Sequence, residues 1–398
     1  MEEEYIDISK AKRYYELGLA RLAKDTRISD RNKELVRSFL RDAALGKTVA
    51  GKAKKKIGPA GLVGYINHLV TFMLVVKKDL DQMTQPDMEE YVEALENDLV
   101  RSRARRVVGG RLGEAGAPYT TRYKVDNKVT IRKFYKWLWG ENKRYPTIVE
   151  WFDTYAKDTE ISALTEAEVE RLIDKCQTTM QRAFIQVLFD GGFRLGEVLN
   201  IRLRHVRLMS FDEHDPSKKS FSIRVPFSKT LPRTVVTPMQ GTTKWLRLWL
   251  EDHPAHPVIA PDGTLDAKDV SMQLFPLSDG GARHMVGRAG QRALGKRVYP
   301  HLLRHTSATY WCNRLSYFQM CKRFGWSMTS DMPQKYIDRE GVDELAAAQR
   351  YHEDERAKLA RERSRLQEEV AELKASLAEV AGEGDGSALH RQLPTHRH

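Results

Sequence analysis

The sequence predicts a mostly α-helical chain with a small antiparallel sheet and a C-terminal coiled-coil tail. Three observations predict it. Apolar residues recur at helical spacing from residue 5 to about 155 and again from 242 to about 350. Between those runs only residues 220–226 and 234–237 carry strand patterning. Beyond residue 351, Leu359, Leu366, Leu373 and Val380 repeat every seven positions.

Leu62, Ile66, Leu69, Met73 and Val76 fall at alternating steps of four and three, one face of a buried helix. Residues 87–97 after Pro86 read as another, and Ile131, Phe134, Tyr135 and Leu138 line a third. Basic runs separate these helices: Lys52, Lys54, Lys55 and Lys56, then Arg101, Arg103, Arg105 and Arg106, followed by Gly109 and Gly110. One such run is ordinarily a solvated face; two on loops of one helical segment suit phosphate contacts.

Periodicity lapses near 155–164, a linker. Thr165 with Glu168 forms a capping box that opens a helix carrying Val169, Leu172 and Ile173. A second helical stretch, 183–189, ends at Gly191 and Gly192. Residues 220–226 alternate polar and apolar, 234–237 are β-branched, and 227–233, with Ser228 and Pro232, make the hairpin turn. Trp245, Leu248 and Trp249 mark the return of helix. In the tail, Val370 and Leu377 complete a seam of about three heptads flanked by Arg, Glu and Lys. Past Gly382 the Gly, Ser, His and Pro composition suits disorder.

With 398 residues the chain is long enough for two domains with their own cores. Lys plus Arg number 66 against 54 Asp plus Glu, a formal charge of +12, so the expected partner is polyanionic, nucleic acid first. Hydrophobic residues are 41% and charged residues 30%, the balance of a globular chain. The longest strongly apolar stretch, 69–76, is short of the roughly 20 residues a spanning helix needs, so no membrane partner is expected. The acidic start, Glu2 to Glu4, is unlike a secretory signal, and a cytoplasmic location is the expectation. Cys176, Cys312 and Cys321 have no CxxC spacing, which argues for three reduced thiols and against a cysteine zinc site. His301 and His305 stand four apart, but a cation, Arg304, lies between them where a zinc peptidase carries glutamate, so no metal is expected.

Taken singly, the polar residues that remain are ordinary: Arg194 with Glu197 could be a surface ion pair, Lys229 a turn residue, Tyr336 a packed aromatic. In order they form a constellation. Gly192-Phe193-Arg194-Leu195-Gly196-Glu197 precedes Lys229 in a turn, then His301-Leu302-Leu303-Arg304-His305, then Gly325-Trp326, with Tyr336 ten residues later. This resembles the tyrosine recombinase (phage integrase) family, whose signature is Arg, Lys, His-x-x-Arg, His or Trp, and Tyr, over roughly residues 160–340. Trp326 as the minority choice and the long spacing to Tyr336 are closer to archaeal and virus-borne members. Phe193 departs from the smaller aliphatic residue usual there.

Two arginines can neutralise the nonbridging oxygens of a phosphodiester at its transition state, and a phenol of ordinary pKa about 10 attacks only when its proton is taken. The resemblance implies Arg194 and Arg304 in the first role and Tyr336 as nucleophile. It implies His301 as acid/base, Lys229 as the acid protonating the departing 5′ oxygen, and Trp326 as an indole N–H donor to the phosphate. Glu197 and His305 would support them. The reaction implied is formation of a 3′-phosphotyrosyl linkage and rejoining, with no cofactor, metal or ATP, on double-stranded DNA carrying a specific site, by a homo-tetramer in synapsis. The implied organisation is a helical core-binding domain over 1–157, a catalytic domain over 158–350, a coiled-coil extension over 351–382 and a disordered tail over 383–398. The segment 341–350 would dock on a neighbouring protomer. Alternatives are a type IB topoisomerase-like nicking-closing enzyme and an inactive DNA-binding relative. Competing tyrosines are Tyr310, Tyr317 and Tyr351; by spacing Tyr310 falls on the core face of the His301 helix, and Tyr351 lies past the motif.

Overall fold

The computed structural model describes residues 10–48, 56–102, 107–108, 111–112, 116–140, 144–155, 162–211, 218–227 and 232–340, with positions 363, 366, 367, 370 and 371 of the tail. The chain forms two compact units, Met1–Ser330 and Asp331–His398.

The first unit opens with helices α1 (Ala11–Lys24), α2 (Asp30–Leu45), α3 (Pro59–Val76), α4 (Gln85–Glu96), α5 (Thr121–Trp139) and α6 (Thr147–Glu150). Their boundaries follow local chemistry. Ser29 caps α2 by accepting the Asn32 N–H, and Gly46 at φ 80° ends it. Thr84 and Asp87 exchange side-chain and backbone bonds at the start of α4, placing that helix two residues earlier than the periodicity indicates, with Pro86 in its first turn. Helix α3 packs against α1, α2, α4 and α5. Its Leu62, Ile66, Leu69, Phe72 and Met73 join Phe39, Tyr91, Phe134 and Tyr135 in one core. A two-residue antiparallel pair, β1 (Val107–Val108) with β2 (Arg111–Leu112), interrupts the all-helical pattern expected over 5–155.

The expectation about apolar length needs correction. Helix α3 has 18 residues with a mean hydropathy of 1.6, enough by length and composition to cross a bilayer. Gly, Tyr, Asn, His and Thr inside Pro59–Val76 break the strongly apolar run without adding a charge, which is why 69–76 alone stood out. The same helix carries a buried face in the core just described.

A second core lies within the same unit, formed by residues from Leu164 to Leu303. It is built from α7 (Glu166–Asp174), α8 (Thr179–Gly191), α9 (Leu195–Val198), the strands β3 (Val206–Ser210), β4 (Lys219–Val225) and β5 (Arg233–Thr237), then α10 (Gln240–Glu251), β6 (Val258–Ile259), β7 (Leu265–Asp266), α11 (Asp279–Leu294) and α12 (Pro300–Cys312), and α13 (Tyr317–Phe324) packs beside α12 and β5. The Thr165–Glu168 capping box is present. The sheet has the order β3-β4-β5, antiparallel throughout. Two details depart from the sequence reading. Residues 252–278 hold no helix; β6 and β7 pair there and Thr264 bridges to Arg207 on β3. Arg233 belongs to β5, opposite Val225, not to the turn, because the register continues to that residue.

All three cysteines are buried, and none is in a disulfide. In the second unit, α14 spans Met332–Glu340. Of the heptad seam, Leu366 and Val370 are helical and about half exposed in the single chain. The other seam positions, the segment 341–350 and the tail 383–398 lie outside the described residues.

Candidate active site

Helix α8 ends at Gly192, whose φ of 62° reverses the chain. Behind it, Gly191 leaves room for Phe193: a Cβ there would stand 2.0 Å from the ring. The larger aromatic at position 193 is thus accommodated by the glycine two residues before it, and Phe193 is fully buried. The chain then turns into the single helical turn α9, and Arg194 is its N-cap. The Arg194 N–H donates to Glu197 Oε2 at 2.9 Å while its Nη1 donates to Glu197 Oε1, also at 2.9 Å.

Glu197 is no surface partner, since it is only 4% exposed. Arg233 grips it from the sheet, Nη1 to Oε1 at 3.0 Å and Nη2 to Oε2 at 2.8 Å, a bidentate pair. Arg304 Nη1 stands 4.0 Å from Oε2. Burial opposes the charge on Glu197, but the Arg233 hydrogen bonds and the surrounding cations hold its carboxyl down at about 2.

Arg304 comes from α12, which Pro300 opens. Its guanidinium is held by two backbone carbonyls, Gly192 O at 2.5 Å and Phe324 O at 2.6 Å, so its direction is fixed by the ends of α8 and α13. The plane lies 5.3 Å from the Phe324 ring centroid and 5.7 Å from that of Trp326. Those two rings stack at 4.8 Å and 18°. Gly325 between them takes a φ of 59°, and the Trp326 N–H returns to Cys321 O. The wall beside Arg304 is therefore aromatic and fixed.

His301 lies one turn before Arg304 on α12, on the same side, and keeps an exposed face. Its ring meets His305 edge-on at 4.6 Å. Partial desolvation, with the cations Arg304, Arg194 and Arg283, pushes the His301 imidazole below the usual histidine range. The structure thus gathers Arg194, Glu197, His301, Arg304, His305 and Trp326 around one end of α12. Tyr336 lies on α14, in the second unit. Tyr310 packs on the core and against Phe189, the core-facing placement that its spacing on the His301 helix predicts, and burial raises its phenol pKa.

Lys229 lies outside the described residues, in the segment that the β4–β5 register brackets. Lys52, Lys54, Lys55, Arg103, Arg105 and Arg106 also lie outside them. Lys56, just before α3, and Arg101, bridged to Pro118, are both exposed.

A family model described as the phage integrase family matches residues 162–340, the span that contains every residue of this constellation. Over that span the chain resembles the phage integrase family. Among curated relatives, the tyrosine recombinase XerA of Saccharolobus solfataricus is 24% identical over 246 residues, 62% of this chain and 70% of the relative. The tyrosine recombinase XerC of Staphylococcus haemolyticus is 23% identical over 265 residues, 62% of this chain and 83% of the relative. The XerH site-specific recombinase, solved as a post-cleavage complex on a palindromic difH substrate, matches 87% of this chain and 96% of its own at 16% identity, with a TM-score of 0.52. The Tn1549 transposon integrase, solved with transposon right-end DNA, matches 80% and 98% at 13% identity, with a TM-score of 0.50. The mostly helical fold with its small antiparallel sheet is that of these recombinases.

One residue of this cluster, Arg233, is not singled out by the sequence. The strand patterning puts Arg233 in the hairpin turn, and only the pairing Val225 to Arg233 places its side chain over Glu197. A signal existed: an arginine at the first residue of a β-branched strand, four after the turn lysine, inside a chain segment that must return to the site.

Proposed function

We propose that this recombinase acts site-specifically, cutting a DNA phosphodiester with Tyr336 and rejoining it to a partner strand without metal or ATP. The observation that carries the reading is that Arg194 and Arg304 reach one buried carboxylate, at 2.9 and 4.0 Å, while Arg304 is fixed by two carbonyls. Guanidinium groups held in this way supply the positive charge that the nonbridging oxygens require as the phosphorane forms. Trp326 adds an indole N–H and a wall.

In the first step the Tyr336 oxygen bonds to phosphorus and the bond to the 5′ oxygen breaks, leaving a 3′-phosphotyrosyl linkage. The phenol proton goes to His301, whose lowered pKa keeps the imidazole neutral and able to accept at pH 7. The departing 5′ oxygen takes its proton from Lys229, and rejoining reverses both transfers. The energy of the phosphodiester is kept in the linkage, so no ATP is consumed. Glu197 orients the arginines, and His305 braces His301.

The partner is double-stranded DNA, as the DNA-bound XerH and Tn1549 relatives support, and the +12 charge is consistent with it. Residues 1–157 form the core-binding domain, with Lys52, Lys54, Lys55, Lys56, Arg101, Arg103, Arg105 and Arg106 on phosphates, and 158–350 form the catalytic domain, in a cytoplasmic protein. Four protomers act in synapsis, with the extension 351–382 pairing them.

The test is to incubate the protein with duplex DNA carrying its own recombination site in the presence of a chelator and to look for an SDS-stable protein–DNA adduct. The wild type forms it and Tyr336→Phe does not. An adduct from Tyr336→Phe would move the nucleophile elsewhere.

A further inference from the structure

We infer that Arg233 is a positioning residue for strand cleavage, acting through Glu197 on the two arginines that face the phosphate. The inference rests on the proposed phosphotyrosyl reaction.

Glu197 is a buried carboxylate with three guanidinium groups around it, and the three do different things. Arg194 would leave the carboxylate in part to reach a phosphate, because its side chain is 29% exposed. Arg304 stands at 4.0 Å and is held chiefly by carbonyls. Arg233 faces inward, with only 8% of its side chain exposed, and spans both carboxylate oxygens. It is therefore the partner that stays when substrate arrives.

A second bond fixes Arg233 itself. Its Nε donates to Arg323 O at 2.9 Å, at the end of α13 and one residue before Phe324, whose carbonyl holds Arg304. Gly325 completes the fit: a Cβ there would stand 2.7 Å from Arg233 Nη1. One guanidinium thus joins the first residue of β5, the carboxylate under Arg194 and the backbone beside Arg304. With it removed, Glu197 keeps its charge but loses the fork that sets its angle, and both phosphate-facing arginines lose their reference.

The chemistry offers a test that a merely structural residue would not pass. The two arginines serve the negative charge on the nonbridging oxygens. A substrate with a methylphosphonate at the scissile position lacks one of those charges and needs the arginines less. A substrate with sulfur in place of the bridging 5′ oxygen needs no proton on its leaving group, and so reports on Lys229 instead. Covalent adduct formation by wild type and Arg233→Gln is measured on both and on the ordinary phosphodiester, with thermal unfolding in parallel.

The expected result is a loss of about 100-fold on the phosphodiester, the scale of a small misplacement at a reacting centre, shrinking at least about tenfold on the methylphosphonate and unchanged on the sulfur substrate. Arg233→Lys, which keeps the charge but cannot span both oxygens, shows the same pattern and serves if the glutamine variant fails to fold. An equal loss on all three substrates, rescue by sulfur alone, or no loss at all each overturns the inference. Failure of the wild type on all three would overturn the phosphotyrosyl reading instead.

Discussion

Arg323 Nη2 stands 2.9 Å from Asp190 Oδ1, with 10% of the arginine side chain and none of the aspartate exposed. The carboxylate also accepts the Met239 N–H at 3.0 Å and the Thr242 hydroxyl at 2.7 Å. Arg323 lies over the Trp311 ring, whose indole N–H donates to Asp190 O. Burial pushes Asp190 up to about 6 and brings Arg323 down to about 10, so both remain charged at neutral pH. Asp190 lies two residues before Gly192 and Arg323 one before Phe324, the two residues whose carbonyls hold Arg304. The pair therefore fastens together the two backbone ends that aim the Arg304 guanidinium.

Removing one member of this pair should cost about 3 to 5 kcal/mol, because the other is left as an uncompensated buried charge. Asp190→Asn and Arg323→Met are expected to lower urea stability by that amount each. The double variant should lose less than the sum, since no charge remains buried alone. Additive losses would show that the two side chains do not act as a pair.

Glu197 gives the acid limb of stability a definite sign. Its folded pKa of about 2 lies below the unfolded carboxyl value of 4.5. Between those values the unfolded chain binds more protons, so stability from this group is present above about pH 4.5 and is lost as pH falls toward 2. The window corresponds to about 3 kcal/mol. Urea unfolding at steps between pH 5 and 3 should show a shallower loss in Glu197→Gln than in wild type, even though the variant starts from a lower stability. An unchanged slope would mean that Glu197 is not held down by its arginines.

How much of this was open to reading from residues depends on the scale of the interaction. Arg194, His301, Arg304, Trp326 and Tyr336 stand in an ordered pattern because the chemistry fixes residue type and local context. Helices such as α7 were legible because Thr165 and Glu168 close their box within four residues. Arg233 was hidden because its role depends on a sheet register with Val225 and on a contact with Glu197, 36 residues earlier. The same holds for Asp190 and Arg323, 133 residues apart, which look like unrelated surface charges until the fold closes on them. The pair β6–β7 is only two residues long on each side, too short for any periodicity to show. The apolar length of α3 is hard to see in the sequence because scattered polar residues that carry no charge shorten a run without much lowering its mean hydropathy.

His301 should titrate low in the free protein and higher on DNA. Partial desolvation and the cations Arg304, Arg194 and Arg283 disfavour its imidazolium. A phosphate seated between those arginines offsets their field, and an anion nearby favours the charged ring. NMR titration of the His301 ring protons, free and with a duplex bearing the recombination site, should show a pKa below 6.5 that rises in the complex. A pKa indifferent to DNA would place His301 away from the phosphate.

Gly192→Ala should damage the site without touching a charged residue. The φ of 62° strains any side chain, and the new Cβ would stand 2.2 Å from Phe324 Cε1. The Phe324 ring is stacked on Trp326 and fully buried, so it has little room to yield. A stability loss of about 1 to 3 kcal/mol is expected. The rate of adduct formation should fall beyond what the unfolded fraction explains, because Gly192 O and Phe324 O both hold Arg304. Normal cleavage by the folded fraction would show that Arg304 does not depend on these carbonyls.

Lys56 and Arg101 test the division of charge between adhesion and chemistry. Both are exposed, Lys56 just before α3 and Arg101 at the bridge to Pro118, and neither has a described ion pair. A cation on a phosphate releases about one counterion, so its removal weakens binding on every sequence and lowers the salt dependence. Lys56→Ala and Arg101→Ala should each reduce the slope of log affinity against log salt by about 1. The rate of adduct formation on saturating DNA should stay at the wild-type value, because neither residue belongs to the constellation around Glu197. Arg194→Ala should do the reverse, abolishing adduct formation while leaving most of the binding. A changed cleavage rate in Lys56→Ala or Arg101→Ala at saturation would mean that the helical segment aligns the substrate as well as gripping it.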